Sequence, residues 1–335
     1  MPEGPAETES VLPNPAPAAL RRLAARRDGP GLARASLQFA VFGLSALAAQ
    51  QLGERDHPGA VAASALAGLA VLTFFPLLHE SGHGTAFVRE RWNRTAAWIG
   101  ALFMLQAPSF FREFHLAHHQ WTQDRERDPE IASIPNLLDS WPGNPVHYLA
   151  IASGQGLMVG KFGFSLICAL LPYAVWKGFF PFVRDGKQRR IAWESRLAVV
   201  VLVGTAWTGL ALVPGFAYVL LAWPIAHLGL GLYLMTEHTG LPNQGSQFDR
   251  TRTLESNAAI RWLMWNMPYH AEHHAFPGIP FHALPALQKE IPRPAPEVCR
   301  GYLAFHREAI RRSFSSQLPR RTKGKRGEGI GLRRR

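Results

Sequence analysis

Eight of the chain's fourteen histidines fall in three short windows: His79 and His83 in HESGH, His115, His118 and His119 in HLAHH, and His270, His273 and His274 in HAEHH. Helical residues three or four apart share a face, so each window can aim two imidazoles at one point. One such pair is commonly structural; three in one chain are the pattern of metal ligation. Imidazole suits zinc, copper, iron and nickel. Eight donors exceed the four that a tetrahedral zinc takes and fit two metals of higher coordination. Iron is the favoured choice, because it activates dioxygen, and a membrane site reaches substrates with unactivated C–H bonds.

Carboxylates accompany these windows. Glu80, Glu237 and Glu272 adjoin histidines, and Glu113, Asp124 and Asp128 flank the second window. Metal-bound imidazoles usually donate their other ring N–H to such acceptors. Glu80, Asp128, Glu237, Asn266, Glu272 and His282 are the residues expected around the ligands. Asp124 and Asp128 read equally well as solvated acids on a basic surface.

The elements that carry the windows are apolar. Runs near 35–52, 59–78, 197–213 and 215–236 have the length and composition of bilayer-crossing helices, although the chain as a whole has a mean hydropathy close to zero. They form two hairpins, turning at GERDHP (53–58) and at Pro214–Gly215. The basic residues before 35 and the segment Arg184–Arg196 place the open ends of both hairpins in the cytoplasm, with the histidines. The apolar stretches 95–111 and 148–183 are interfacial or re-entrant, with Lys161 and Lys177 snorkelling, or they add a further hairpin. The expected fold is therefore an all-α integral membrane protein of four helices, or six, with a cytoplasmic helical cap over the metals. In a bacterium it would lie in the inner membrane with both termini cytoplasmic.

Three regions follow: a basic, disordered tail over 1–33, a membrane domain over 34–310, and a basic tail over 311–335. Of the net charge of +12, much lies in eight Lys/Arg within 320–335, which suit anionic lipid headgroups better than nucleic acid. Cys168 and Cys299 are too far apart in sequence to suggest a disulfide framework or a cysteine metal site.

The segments HESGHGTAF, FREFHLAHHQWTQDRERDPE, TEHTGLP and NMPYHAEHHAFPGIPFHALP resemble those of the membrane fatty acid desaturase/hydroxylase superfamily, including its bacterial fatty-acid-desaturase-like branch. The resemblance covers about 35–310. It implies two irons held by the eight histidines and dioxygen as co-substrate. It also implies a ninth ligand at the end of the last membrane helix, where His238 stands 32 residues before His270. Desaturases of the stearoyl-CoA type carry Asn four residues before that histidine; here it is Leu234, leaving water, Glu237, Asn257 or Asn266 for the open position. The family favours desaturation of an acyl lipid. Hydroxylation or ketone formation on a lipid, carotenoid or other small molecule stays open.

His57-Pro58-Gly59 approaches the haem-binding H-P-G-G of cytochrome b5 but continues with Ala60 between two membrane helices. Electrons are therefore expected from a separate ferredoxin or b5-type donor. His79-Glu80-x-x-His83 also fits the zinc-protease helix, yet the Asp-Gly that could supply a third ligand, Asp185-Gly186, lies in a basic loop, and six histidines would be idle. A metal transporter would need ligands at membrane depth. His227, about three turns before His238, lines a substrate tunnel or makes an interhelical hydrogen bond. His57, His147 and His306 are expected at the surface.

Overall fold

A computed structural model describes residues 15–132, 143–291 and 298–314. A short helix, α1 (Pro17–Leu23), precedes two long ones, α2 (Asp28–Glu54) and α3 (Gly59–His83). Residues 17–23 and 28–33, expected as a disordered tail, are thus helical. Leu23 packs with Leu284 and Leu287, which gives this basic segment an apolar anchor. Residues 1–14 and 315–335, with the C-terminal basic cluster, lie outside the described residues.

Amphipathic α4 (Glu90–Phe103) and α5 (Pro108–Trp121) follow, then α6 (Pro145–Ala152) and α7 (Gln155–Leu170), which meet at 51°. The second hairpin is α8 (Gln188–Leu212) with the pair α9 (Phe216–Leu220) and α10 (Ala222–His238). Four helices are long and apolar enough to cross a membrane, or five if the bent α6–α7 pair is one span. The outer faces of α2 and α8 leave Leu44, Val200, Trp207 and Leu212 exposed, with Trp207 at 75%. Apolar surface of that extent belongs against lipid rather than water.

The two hairpins point the same way. Gln50 donates to the Pro214 carbonyl at 2.7 Å, and Ser64 to that of Tyr218 at 2.6 Å, so both turns lie at one end. At the other end Asp28 accepts from the Val88 amide, just beyond His83. α10 packs on α3, which brings Glu237 and His238 to the level of His79 and His83. Beneath them lies an aromatic core in which Phe74 stacks on Phe103 at 3.9 Å and Trp223 donates to the Phe103 carbonyl.

The α6–α7 bend is fixed by close packing. Gly154 holds φ +66°, and a Cβ there would fall 1.6 Å from the His227 carbonyl oxygen. Only glycine permits that backbone and that approach. Lys161 on α7 does not snorkel: it is buried and its ammonium has no hydrogen-bond partner among the described residues. Lys177 is exposed and pairs with Asp185 at 3.6 Å.

Candidate metal centre

The chain delivers its histidines by ending helices where they are needed. α3 stops immediately after His83 because Gly84 adopts φ +76°. Thr85, the next residue, turns back to donate to the Glu80 carboxylate at 2.8 Å. α10 ends at His238, where the buried Arg252 guanidinium binds the Thr236 and Thr239 carbonyls and offsets the negative helix end. The third window forms a short helix, α11 (His270–Ala275). Trp265 and Asn266, both in the left-handed region, turn the chain into it.

Nine histidines converge in two groups, all buried except the half-buried His83. His79, His83, His115, His119 and His273 form one; His118, His238, His270 and His274 form the other. Within each group one ligand atom per residue lies within 4.8 Å of all the others. The adjacent histidines of each H-x-x-H-H window go to different groups. α5 gives His115 and His119 to the first group and His118 to the second; α11 gives His270 and His274 to the second and His273 to the first. The three-and-four spacing is therefore what lets one helix serve two sites.

The contacts within the groups run between Nε2 atoms. In the first, His115 lies 2.9 Å from both His83 and His119, and His119 lies 3.2 Å from His273. In the second, His238 is 3.2 Å from His118 and 3.1 Å from His270, which is 3.1 Å from His274. Burial lowers the pKa of His115, His119, His270, His273 and His274 well below the usual imidazole value, so these rings are neutral at pH 7. Neutral rings clustered through the same nitrogen leave lone pairs directed at a common centre, an arrangement that a cation relieves. Two nitrogens about 2.1 Å from one ion lie about 3.0 Å apart at right angles, but about 3.4 Å apart in a tetrahedron. The observed spacings fit the former, and the residues present suit metals of higher coordination than structural zinc.

Three of the opposite ring nitrogens, those of His118, His238 and His274, face oxygen acceptors within hydrogen-bond distance. His118 Nδ1 lies 3.0 and 3.2 Å from the two oxygens of Asp128, which also accept from the Gln123 and Glu130 amides. Burial alone would lower the His118 pKa, but the charges of Asp128 and Glu130 raise it to about 9. A metal at Nε2 would leave its proton on Nδ1, facing Asp128. Glu80 lies 3.4 Å from His79 Nδ1 and 4.0 Å from His273 Nδ1. The Arg250 carbonyl faces His238 Nδ1 at 3.0 Å, and the Thr122 hydroxyl faces His274 Nδ1 at 3.2 Å.

Other expected neighbours stand differently. Glu272 turns away from the rings and accepts from Thr253 at 2.6 Å, tying α11 to the strand β1 (Thr253–Leu254). Asn266 donates to the Phe281 carbonyl at 3.0 Å, and the Phe281 amide donates to Glu80, so Asn266 acts two bonds from the rings. His282 is half-buried beside Phe281, within electrostatic reach of Glu80. Asp124 binds the exposed Arg127, and Glu113 binds Arg184 at 2.7 Å; neither acid contacts a clustered histidine. Asn257 caps a helix by accepting from the Ile260 amide, and Leu234 packs into the apolar core. Glu237 is beside the second group, 3.5 Å from His270 Nε2.

Three further histidines are now placed. His227 donates from Nδ1 to the Trp223 carbonyl within its own helix, while its Nε2 is buried without a partner among the described residues. His306, expected at the surface, is half-buried between Tyr148 and the Leu232 carbonyl and ties α12 (Tyr302–Phe314) to α6 and α10. His57 is exposed. For the protease reading, Glu80 is fully buried and bound by Thr85 and Phe281, and Asp185 is exposed on Lys177. Thr122, Arg250 and Arg252 carry no sequence signal as site residues, since their roles arise from contacts made across the fold.

Comparison with known proteins agrees with this geometry. The family model described as fatty acid desaturase matches residues 57–306. A Delta(8)-fatty-acid desaturase of Euglena gracilis is 24% identical over 64% of this chain and 56% of its own length. The sphingolipid delta(4)-desaturase DES1 of Drosophila melanogaster is 27% identical over 68% of this chain and 65% of its own length. The sphingolipid delta(4)-desaturase/C4-monooxygenase DES2 of Homo sapiens is 24% identical over 64% of this chain and 60% of its own length. The chain thus spans somewhat over half the length of these curated relatives. A match over residues 57–306 that takes in all nine clustered histidines establishes that the chain belongs to the fatty acid desaturase family.

Proposed function

We propose that the chain is an oxygen-dependent acyl-lipid desaturase in which the nine clustered histidines hold two irons. The observation that carries this reading is the pair of buried imidazole groups, five and four strong, in a member of the desaturase family. His79, His83, His115, His119 and His273 would hold one ion, and His118, His238, His270 and His274 the other. When bound and reduced, such a pair supplies dioxygen activation and hydrogen abstraction from a methylene, chemistry that no side chain provides alone.

The chain's own residues bind, orient and exclude. Asp128, the Arg250 carbonyl and Thr122 fix the His118, His238 and His274 rings, and Glu80 lies against His79 and His273. Phe75, Phe111, Trp265, Met267 and Phe281 belong to the apolar core and keep water from the site. The substrate is a lipid entering from the membrane. Desaturation removes two hydrogens from adjacent carbons, and two further electrons from an external ferredoxin or b5-type donor complete the reduction of dioxygen to two waters. Residues 34–310 form the working membrane domain, with both termini and the metal site on the cytoplasmic side. The basic tails over 1–33 and 311–335 would add charge for anionic lipid.

A second reading is hydroxylation, favoured by one observation: the name of the Homo sapiens relative joins desaturase to C4-monooxygenase. The two outcomes differ in substrate position relative to the metals rather than in the ligand set. Expression with a redox partner followed by mass spectrometry of host lipids separates them. We expect products lighter by two hydrogens; products heavier by one oxygen would establish hydroxylation instead. His118→Ala and His273→Ala should each abolish product and lower bound iron, and full activity in either would overturn the ligand assignment.

A further inference from the structure

The two histidine groups are related by an internal exchange of roles. α5 and α11 each send an i, i+4 pair to one group and a single histidine to the other. The remaining ligands come from the ends of α3 and α10, and here the exchange breaks. α3 supplies a second i, i+4 pair, His79 and His83, whereas α10 supplies His238 alone. One turn before His238, at the position that matches His79, stands Leu234, which has no donor atom. The second group is one ligand short.

Resting on the two-metal reading above, we propose that the Glu237 carboxylate is the fifth ligand of the second metal. Its Oε2 lies 3.5 Å from His270 Nε2, the nitrogen that also touches His238 and His274. That spacing is close to the 3.1 Å that separates His270 from each of those imidazoles. The carboxylate is buried, with the Tyr233 hydroxyl beside it as a hydrogen-bond donor. A buried carboxylate whose neighbours are neutral imidazoles and a tyrosine hydroxyl still lacks a positive charge, which a metal cation would supply. The competing donors are engaged elsewhere: Asn266 is bound to Phe281, Asn257 caps a surface helix, and Glu272 faces Thr253. One site would then have five imidazoles and the other four imidazoles with one carboxylate. The carboxylate gives the second ion a harder, negatively charged donor that the first ion lacks.

The test uses the purified full chain in lipid nanodiscs, titrated anaerobically with ferrous iron and followed by metal analysis and difference infrared spectroscopy. The wild type is expected to bind two ions and to show the paired carboxylate stretches of a metal-bound glutamate. Glu237→Gln, which keeps the side chain's shape, should lose those bands and weaken the second ion about 10–100-fold, leaving the first unchanged. Glu80→Gln and Glu272→Gln should retain the bands. Melting of the metal-free variants shows whether each is folded. Two ions bound with unaltered affinity and an unaltered difference spectrum in Glu237→Gln would overturn the carboxylate assignment alone. Fewer than two ions in the wild type would instead overturn the two-metal reading on which it stands.

Discussion

At the scale of single residues, the site depends on which nitrogen of each imidazole is free. Asp128 is the clearest case, because both of its oxygens face His118 Nδ1 while two backbone amides hold them in place. This fixes the tautomer that offers Nε2 to the second group. Asp128→Asn keeps the size but presents an amide to the ring, and loss of such a partner commonly weakens metal binding about 10–100-fold. Competition with a fluorescent chelator should show that loss in Asp128→Asn and none in Asp124→Asn, whose carboxylate serves Arg127. Equal affinities in the two variants would refute the orienting role. All nine clustered histidines were legible in sequence, eight from spacing and His238 from family resemblance. Their sorting was not, because the assignment of His118 and His119 to different groups depends on where α10 and α11 stand. The acids illustrate the same limit. Glu80 and Glu272 both adjoin histidines in sequence, yet only Glu80 faces the rings, since Thr253 draws Glu272 to the other side.

At the scale of elements, the two hairpins could be read from apolar length alone, although α2 and α8 begin seven and nine residues before the expected runs at 35 and 197. The α6–α7 bend could not. A glycine in an apolar run does not announce a 51° break; the break needs the His227 carbonyl pressed against Gly154, a partner distant in sequence. The bend also carries Lys161 into the interior rather than to the headgroups. Its ammonium is buried with no hydrogen-bond partner among the described residues, and among those residues Glu130 is the charge of opposite sign that acts on it. Desolvating an ammonium without close pairing is destabilising, whereas a methionine of similar length fills the same space without that penalty. Lys161→Met should therefore raise the thermal midpoint of the purified protein, by about 2–4 °C for each kcal/mol recovered. A lower midpoint in a scanning fluorescence melt would mean that Lys161 has a compensating role in the fold.

At the scale of the whole molecule, the common direction of the hairpins decides what kind of site this is. Both turns lie at one end, joined through Gln50 and Pro214, and all nine clustered histidines lie at the other. The charges divide in the same way. Arg55 is the single cation in the first turn and sits between Glu54 and Asp56, while Arg89, Arg91, Arg94, Arg112, Arg125 and Arg127 lie in the segments around the first two histidine windows. Cytoplasmic loops of membrane proteins carry such an excess of Lys and Arg, so the histidine end should face the cytoplasm, where reduced electron carriers reside. Cysteine labelling tests this directly, because the native Cys168 and Cys299 are both buried and contribute little background. Arg55→Cys and Arg94→Cys each replace an exposed residue, one at either end. In intact cells a membrane-impermeant maleimide should modify Arg55→Cys at once and Arg94→Cys only after permeabilisation. The reverse pattern would put the metal centre on the outer face and remove soluble cytoplasmic donors from consideration. Labelling of both positions in intact cells would show that the two ends are not separated by a membrane, and the hairpin reading would fail with it.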